Sequence, residues 1–219
     1  MKKLFISTIV LMGVFFFASC GGKEPTPAGD VTPPVIVLPI DASTLVVNLG
    51  DKDAVMKDVT ARDDEDGNIT SSIELNADLD VIGETEVEYV VFDKAKNKTI
   101  AKRKVMIRSG KLAKKYFVEP IDVTGEHEIT VTESETVNLQ IESYLFGTTK
   151  PTYVPDGKGK LKMREFGAMD GGRPCTFSGN VKYEKVGDNT YNIVSMEYTA
   201  TYNSGTPATK TYSFTSRPK

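Results

Sequence analysis

Apolar positions along this chain follow three regimes. Leu4 to Phe17 is a nearly continuous apolar run, interrupted by Ser7, Thr8 and Gly13 and preceded by Lys2 and Lys3. Gly21 to Pro34 is rich in Gly, Pro, Thr and charge, with almost nothing to bury, so it reads as a flexible tether. Beyond it, apolar residues recur at every second position. In Thr85 to Phe92, Val87, Tyr89 and Val91 point one way and Glu86, Glu88 and Val90 the other. In Thr99 to Ile107, Ile100, Lys102 and Lys104 oppose Ala101, Arg103, Val105 and Ile107. Period two with β-branched and aromatic residues predicts half-buried antiparallel strands. Val35 to Leu38 and Thr44 to Leu49 add two more, the latter ending at the turn signal Gly50-Asp51.

The pattern continues through the second half. Strands are predicted at Glu128–Thr132, Thr136–Tyr144, Gly159–Glu165, Cys175–Lys185, Thr190–Tyr202 and Ala208–Thr215. Alternation is clear in Val137/Leu139/Ile141, Leu161/Met163, Val181/Tyr183 and Met196/Tyr198/Ala200/Tyr202. Gly187-Asp188-Asn189 and Asn203-Ser204-Gly205 are hairpin turn signals. No helical period appears there. The reading is all-β: two β-sandwich units in tandem, the second a sandwich or a small open barrel.

Composition separates the units. Residues 30–108 hold ten basic and sixteen acidic residues, against fourteen and thirteen in residues 109–219. Aromatic residues number two in the first, Tyr89 and Phe92, and thirteen in the second. A boundary is expected near Ser109-Gly110, with a short basic connection at Lys111 to Lys115. The expected division is 1–19 as export signal, 20–32 as tether, 33–108 as the first sandwich and 109–219 as a second antiparallel unit.

The N-terminal run is too short for a comfortable membrane span, and Ala18-Ser19-Cys20 supplies the small residues a signal peptidase needs. Phe17-Ala18-Ser19-Cys20 resembles the lipobox of bacterial lipoproteins, with Phe17 where Leu is commoner. That resemblance implies that residues 1–19 are removed and Cys20 carries the lipid, anchoring the chain to the outer membrane. Lys23-Glu24 is a thin version of the acidic run that some Bacteroides-group lipoproteins carry for surface export, so surface and periplasmic placement both stay open. Losing Lys2 and Lys3 makes the mature chain more acidic than the full chain's −3, which argues against a nucleic-acid partner. Cys175 is the other cysteine of two, so no intramolecular disulfide is expected once Cys20 is lipidated. It is read as a small buried hydrophobe rather than a reactive thiol.

In the first unit several motifs stand in order. They are Asp30-Val31-Thr32-Pro33-Pro34-Val35-Ile36, then Val59 through Thr70 (VTARDDEDGNIT), Gly83, and Val87 through Lys98 (VEYVVFDKAKNK). Together they resemble a bacterial immunoglobulin-like repeat found in cell-surface proteins and some insecticidal crystal toxins. The match covers residues 30–108, about a third of the chain. Where that family has Gly before Asn97, this chain has Lys96, so any left-handed residue of the turn is expected at Asn97.

Asp63, Asp64, Glu65 and Asp66 crowd four positions, and Asp93 and Asn97 lie further on. Clustered carboxylates supply the six to eight oxygens that calcium takes. A structural calcium site at Asp63, Asp64, Asp66 and Asp93 is therefore one reading. The other is a solvated turn, because Asp66-Gly67-Asn68 makes a tight bend and Asp or Asn caps its own backbone. The small ligand count favours the turn. No other cofactor is expected.

Chemistry elsewhere is thin. His127 is the single histidine. No G-x-S-x-G motif, zinc-type His/Cys cluster or phosphate-cradling Gly loop is present, so no catalysis is expected. Tyr144, Phe146, Tyr153 and Phe166 flank the Gly/Pro-rich stretches Gly147–Gly159 and Gly167–Pro174. On loops they would stack on sugar rings, with Asp156, Arg164, Asp170 and Arg173 bonding hydroxyls; as core residues they would fill strand ends. The absence of Trp weakens the sugar-platform case. Ser143-Tyr144-Leu145-Phe146-Gly147 and the closing Tyr-rich hairpin resemble the C-terminal all-β domain, of undefined activity, in two-domain Bacteroides lipoproteins. The resemblance implies a monomeric glycan-binding lipoprotein serving an outer-membrane uptake system, with a polysaccharide or an uptake-complex protein as partner. An adhesion or scaffold protein that presents the C-terminal domain to a protein partner is the alternative. Two aromatics exposed on one loop face would mark the sugar binder; their burial beside a flat apolar patch would mark the scaffold.

Overall fold

The computed structural model describes residues 29–39, 44–120, 125–143, 146, 148–170, 172–204 and 208–219. Cys20, Tyr144, Gly205 and the export segment lie outside the described residues. The architecture is all-β, with one short α-helix among the described residues, α1 (Lys52–Met56).

The first unit packs two sheets. One joins β1 (Val35–Val37), β3 (Thr60–Asp63) and β4 (Gly67–Asn68). The other runs β2 (Leu45–Asn48), β7 (Lys98–Arg108), β6 (Gly83–Phe92) and β5 (Glu74–Asn76), with β2 parallel to β7 and the rest antiparallel. Alternation places the core where the sequence puts it: Val87, Tyr89, Val91, Val105 and Ile107 are fully buried. On the outer face, Lys104–Glu84 (2.8 Å), Lys102–Glu86 (2.9 Å) and Lys102–Glu88 (2.8 Å) form a cross-strand charge ladder. The Gly50-Asp51 turn signal also starts α1: the Asp51 carboxylate accepts the Ala54 N–H at 3.1 Å, and Val55 points into the core. In the β6–β7 hairpin Lys96, not Asn97, takes the left-handed conformation, at φ 76°. Asn97 is held instead by its side-chain amide, which donates to Asp93, Asp30 and Thr32.

The second unit is one antiparallel sheet that closes on itself. Its strands are β8 (Lys115–Pro120), β9 (His127–Ser134), β10 (Asn138–Glu142), β11 (Thr152–Pro155), β12 (Lys160–Met163), β13 (Phe166–Asp170), β14 (Arg173–Gly187), β15 (Thr190–Tyr202) and β16 (Ala208–Pro218). The order β12-β11-β10-β9-β8-β16-β15-β14 is joined end to end by β12 pairing with β14, and β13 covers the rest of that edge of β14. Where a sandwich or small open barrel is expected, the long strand β14 carries the curl far enough to meet β12. Three strands of this unit were not anticipated. β8 lies in what reads as a basic connection, and β11 and β13 lie in the Gly/Pro-rich stretches. Each is short and bounded by Gly or Pro, which mimics a loop, yet its backbone groups are paired across the sheet. The barrel interior is filled by Tyr116, Val118, Ile129, Leu139, Ile141, Tyr153, Leu161, Met163 and Ile193.

The units meet through polar contacts around a continuous apolar core. The Tyr183 hydroxyl accepts the Ile82 N–H at 3.2 Å and donates to the Asp80 carbonyl at 3.2 Å. Tyr191 bonds the Asp80 carboxylate. Lys111 Nζ reaches the Leu49 carbonyl at 2.6 Å, Lys158 pairs with Asp78 at 2.8 Å, and Arg108 Nε with Glu133 at 2.9 Å.

Candidate functional site

Of the predicted ligand-binding aromatics, Phe146, Tyr153 and Phe166 lie among the described residues, and all three pack against other side chains. Phe146 is 6% exposed and sits inside an aromatic cluster, its ring edge-on to Phe166 at 6.0 Å, Phe177 at 5.8 Å and Tyr198 at 5.2 Å. Phe166 is half-buried and stacks on Phe177 at 5.2 Å. Tyr153 is wholly buried in β11, its hydroxyl facing Met196 Sδ at 3.8 Å, and burial pushes its phenol far above the ordinary range. With both faces packed, Phe146 and Tyr153 offer no ring face to a ligand from solvent. Cys175 is buried too; burial pushes its thiol up, which suits a packing residue.

Asp170 and Arg173 are brought together. They are cross-strand partners in the β13–β14 hairpin, and Tyr202 lies between them. The Tyr202 hydroxyl donates to Asp170 Oδ2; this bond, then burial, pushes the phenol up to about 12. The Arg173 guanidinium lies 4.7 Å over the Tyr202 ring and donates to the Ser204 carbonyl at 2.9 Å, and Lys210 Nζ approaches the same ring at 5.7 Å. These groups satisfy one another. Asp156 and Arg164 part company: Asp156 lines the cleft described next, while Arg164 pairs with Glu135 at 3.6 Å.

One surface depression was missed by sequence reasoning. It is a cleft of about 470 Å³ on the wall of β14, β15 and β16, lined by Asp156, Lys160, Asn180, Lys182, Ser195, Glu197 and Ser213, with Met196 and Phe214 between them. Antiparallel register builds it in rows. Asn180, Glu197 and Ser213 stand side by side across three strands, with the Ser213 hydroxyl 3.3 Å from Glu197 Oε2. Lys160, Lys182 and Ser195 form the next row, where β12 closes onto β14. Lys160 and Lys182 also line a second depression of about 480 Å³, which runs on to Asp80, Tyr183 and Tyr191 at the junction of the units. The signal was present in the sequence: these are the outward positions alternating with Val181, Met196 and Phe214, used only to find the core.

The predicted metal residues divide. Asp66 is held by Lys94, whose Nζ lies 2.7 Å from Oδ1 and whose N–H lies 2.7 Å from Oδ2; these bonds keep its carboxyl below the usual range. Asp93 spends both oxygens on Asn97, at 2.8 Å to its N–H and 2.7 Å to its Nδ2. Both carboxylates are engaged in holding their own turns. Asp63 and Asp64 do come together, and Asp30 joins them. Sequence spacing gave no reason to bring Asp30 in.

No protein-family model matches the chain, and no curated protein matches it. Among solved structures, the lipoprotein BT2262 of Bacteroides thetaiotaomicron aligns over 83% of this chain and 99% of its own length, with 13% identity and a TM-score of 0.30. The CBM51-2 and INT domains of Clostridium perfringens ZmpB, determined with GlcNAc bound to CBM51-2, align over 84% of this chain and 44% of theirs, with 14% identity and a TM-score of 0.27. Superpositions this loose set up no residue-by-residue correspondence.

Proposed function

We propose that this chain is a non-catalytic, lipid-anchored envelope protein whose barrel holds a polysaccharide in the β14–β16 cleft, with the first unit as its stalk. The observation that carries the reading is the two rows of polar side chains in the cleft, which flank its apolar floor of Met196 and Phe214. Sugar hydroxyls both donate and accept, and here an amide (Asn180), hydroxyls (Ser195, Ser213), carboxylates (Asp156, Glu197) and ammonium groups (Lys160, Lys182) stand in adjacent rows. Recognition would then run on hydrogen bonds rather than on stacking. This accords with a chain that has no Trp and keeps Phe146 and Tyr153 inside. The anchor is Cys20, by resemblance of Phe17–Cys20 to a lipobox, in the outer membrane. Delivery to an outer-membrane uptake system follows from the resemblance of the second region. The test is native affinity electrophoresis against a polysaccharide panel. Retardation by a glycan is expected, lost in Asn180→Ala and Glu197→Ala, whose side chains face solvent, and kept in Arg173→Ala. Equal retardation of all variants would remove the cleft from the proposal.

A scaffold or adhesion role is the second reading. It is favoured by the burial of Phe146 and Tyr153 and by the polar contacts that fasten the units together. Absence of retardation across the panel would support it.

A further inference from the structure

Three segments meet at one end of the first unit: the chain leading into β1, the turn after β3, and the β6–β7 hairpin. Asn97 links the first and third, its Nδ2 donating to the carbonyls of Asp30 at 3.2 Å and Thr32 at 3.4 Å. The turn after β3 holds Asp63, which is 3% exposed. Asp63 Oδ1 accepts the N–H of Glu65 at 3.1 Å and of Asp66 at 2.9 Å. Its Oδ2 is buried with no hydrogen-bond partner, the one side-chain oxygen or nitrogen in that condition among the described residues. A carboxylate oxygen that gives up its water needs a donor or a cation in return. No donor reaches this one. Carboxylate oxygens of Asp30, Asp63 and Asp64 lie within 4.8 Å of one another. One ion with oxygen ligands at about 2.3–2.6 Å spans such a separation.

We infer that Asp30, Asp63 and Asp64 bind one calcium ion, which fastens the N-terminal segment to the turn after β3. The donor set is all oxygen, which selects a hard cation over zinc or copper. No salt bridge reaches the three aspartates among the described residues: the Lys94 ammonium, on the neighbouring hairpin, is bonded to Asp66 at 2.7 Å and acts on Asp63 only through its charge. Asp30 spends Oδ1 on the Thr32 N–H at 2.8 Å, which leaves its other oxygen for the ion. Asp64 is exposed, so water completes the shell on that side. The ion would join stretches far apart in sequence at the point where the chain enters the folded unit.

The test strips the purified protein with EDTA and titrates it with calcium chloride in a calorimeter. One ion per chain is expected, with a Kd of about 10⁻⁴–10⁻³ M, the range of extracellular modules. Calcium at about 10 mM should raise the thermal midpoint by roughly 3–11 °C. Asp30→Asn should weaken binding at least about tenfold by removing a charged ligand. If Asp30→Asn itself lowers the metal-free midpoint, Asp64→Asn on the exposed turn gives the same reading. No binding heat and no midpoint shift in the unaltered protein would overturn the inference, as would a calcium response that survives both substitutions undiminished.

Discussion

Lys96 occupies a backbone conformation that suits a residue without Cβ. At φ 76° its Cβ crowds the carbonyl that follows, a cost of about 1–2 kcal/mol for a side-chain-bearing residue. The hairpin tolerates this because Asp93 fixes it from inside, accepting two bonds from Asn97 while its carbonyl accepts the Lys96 N–H at 3.3 Å. The Lys96 side chain is exposed, so little is lost by removing it. Lys96→Gly is expected to stabilise the protein by about 1 kcal/mol, part of the strain relief being offset by a more flexible unfolded chain. The reading is a higher urea midpoint with an unchanged slope. The sequence pointed to this turn but assigned the left-handed residue to Asn97. Asn tolerates that conformation, but Asn97 is the residue whose amide bridges Asp93 to the chain at Asp30 and Thr32, and a partner so distant is not legible from spacing. The same blindness hid the approach of Asp30 to Asp63 and Asp64.

Among the elements, β14 decides the shape of the second unit. It pairs with β15 along one edge, and with β13 and then β12 along the other. Gly179 stands between those two partners. A Cβ there would collide with the Glu197 carbonyl oxygen and lie 2.9 Å from Cα of Tyr198, its cross-strand partner. Both obstacles are backbone, so they yield only if β15 moves away. Gly179→Ala should therefore destabilise by about 1–3 kcal/mol, the usual cost of overpacking. In a thermal melt this is a fall of roughly 2–12 °C for a chain of this size. Because Asn180 and Glu197 line the cleft beside it, the same variant should lose glycan retardation; a melt unchanged from the unaltered protein would mean the strands are not packed this closely. Elements with several alternating apolar residues were legible from sequence, as in β6, β7, β12 and β15. β8, β11 and β13 were not, because each is short and edged with Gly or Pro. Closure of β12 onto β14 was not legible either, since pairing between strands far apart along the chain leaves no local mark.

Across the whole molecule the tyrosines tie core and junction to one titration. Burial pushes the phenol of Tyr116 up to about 12, and those of Tyr89, Tyr153, Tyr183 and Tyr191 upward as well. The folded protein thus keeps protons that an unfolded chain releases near pH 10. Stability from these groups is fully present below that pH and drains away as pH rises through the folded values. For Tyr116 alone, about two pH units of separation correspond to about 2–3 kcal/mol. Tyr183 and Tyr191 contribute at the junction, where both meet Asp80 and an ionised phenol would face that residue's carboxylate or carbonyl. Core and junction should therefore fail together. In an alkaline titration, tyrosinate absorbance should rise late, largely above pH about 11, in one step coincident with loss of near-ultraviolet circular dichroism. Phenols ionising near pH 10, while the dichroism persists, would mean that water reaches these rings and that the tyrosine-lined core and junction are looser than described.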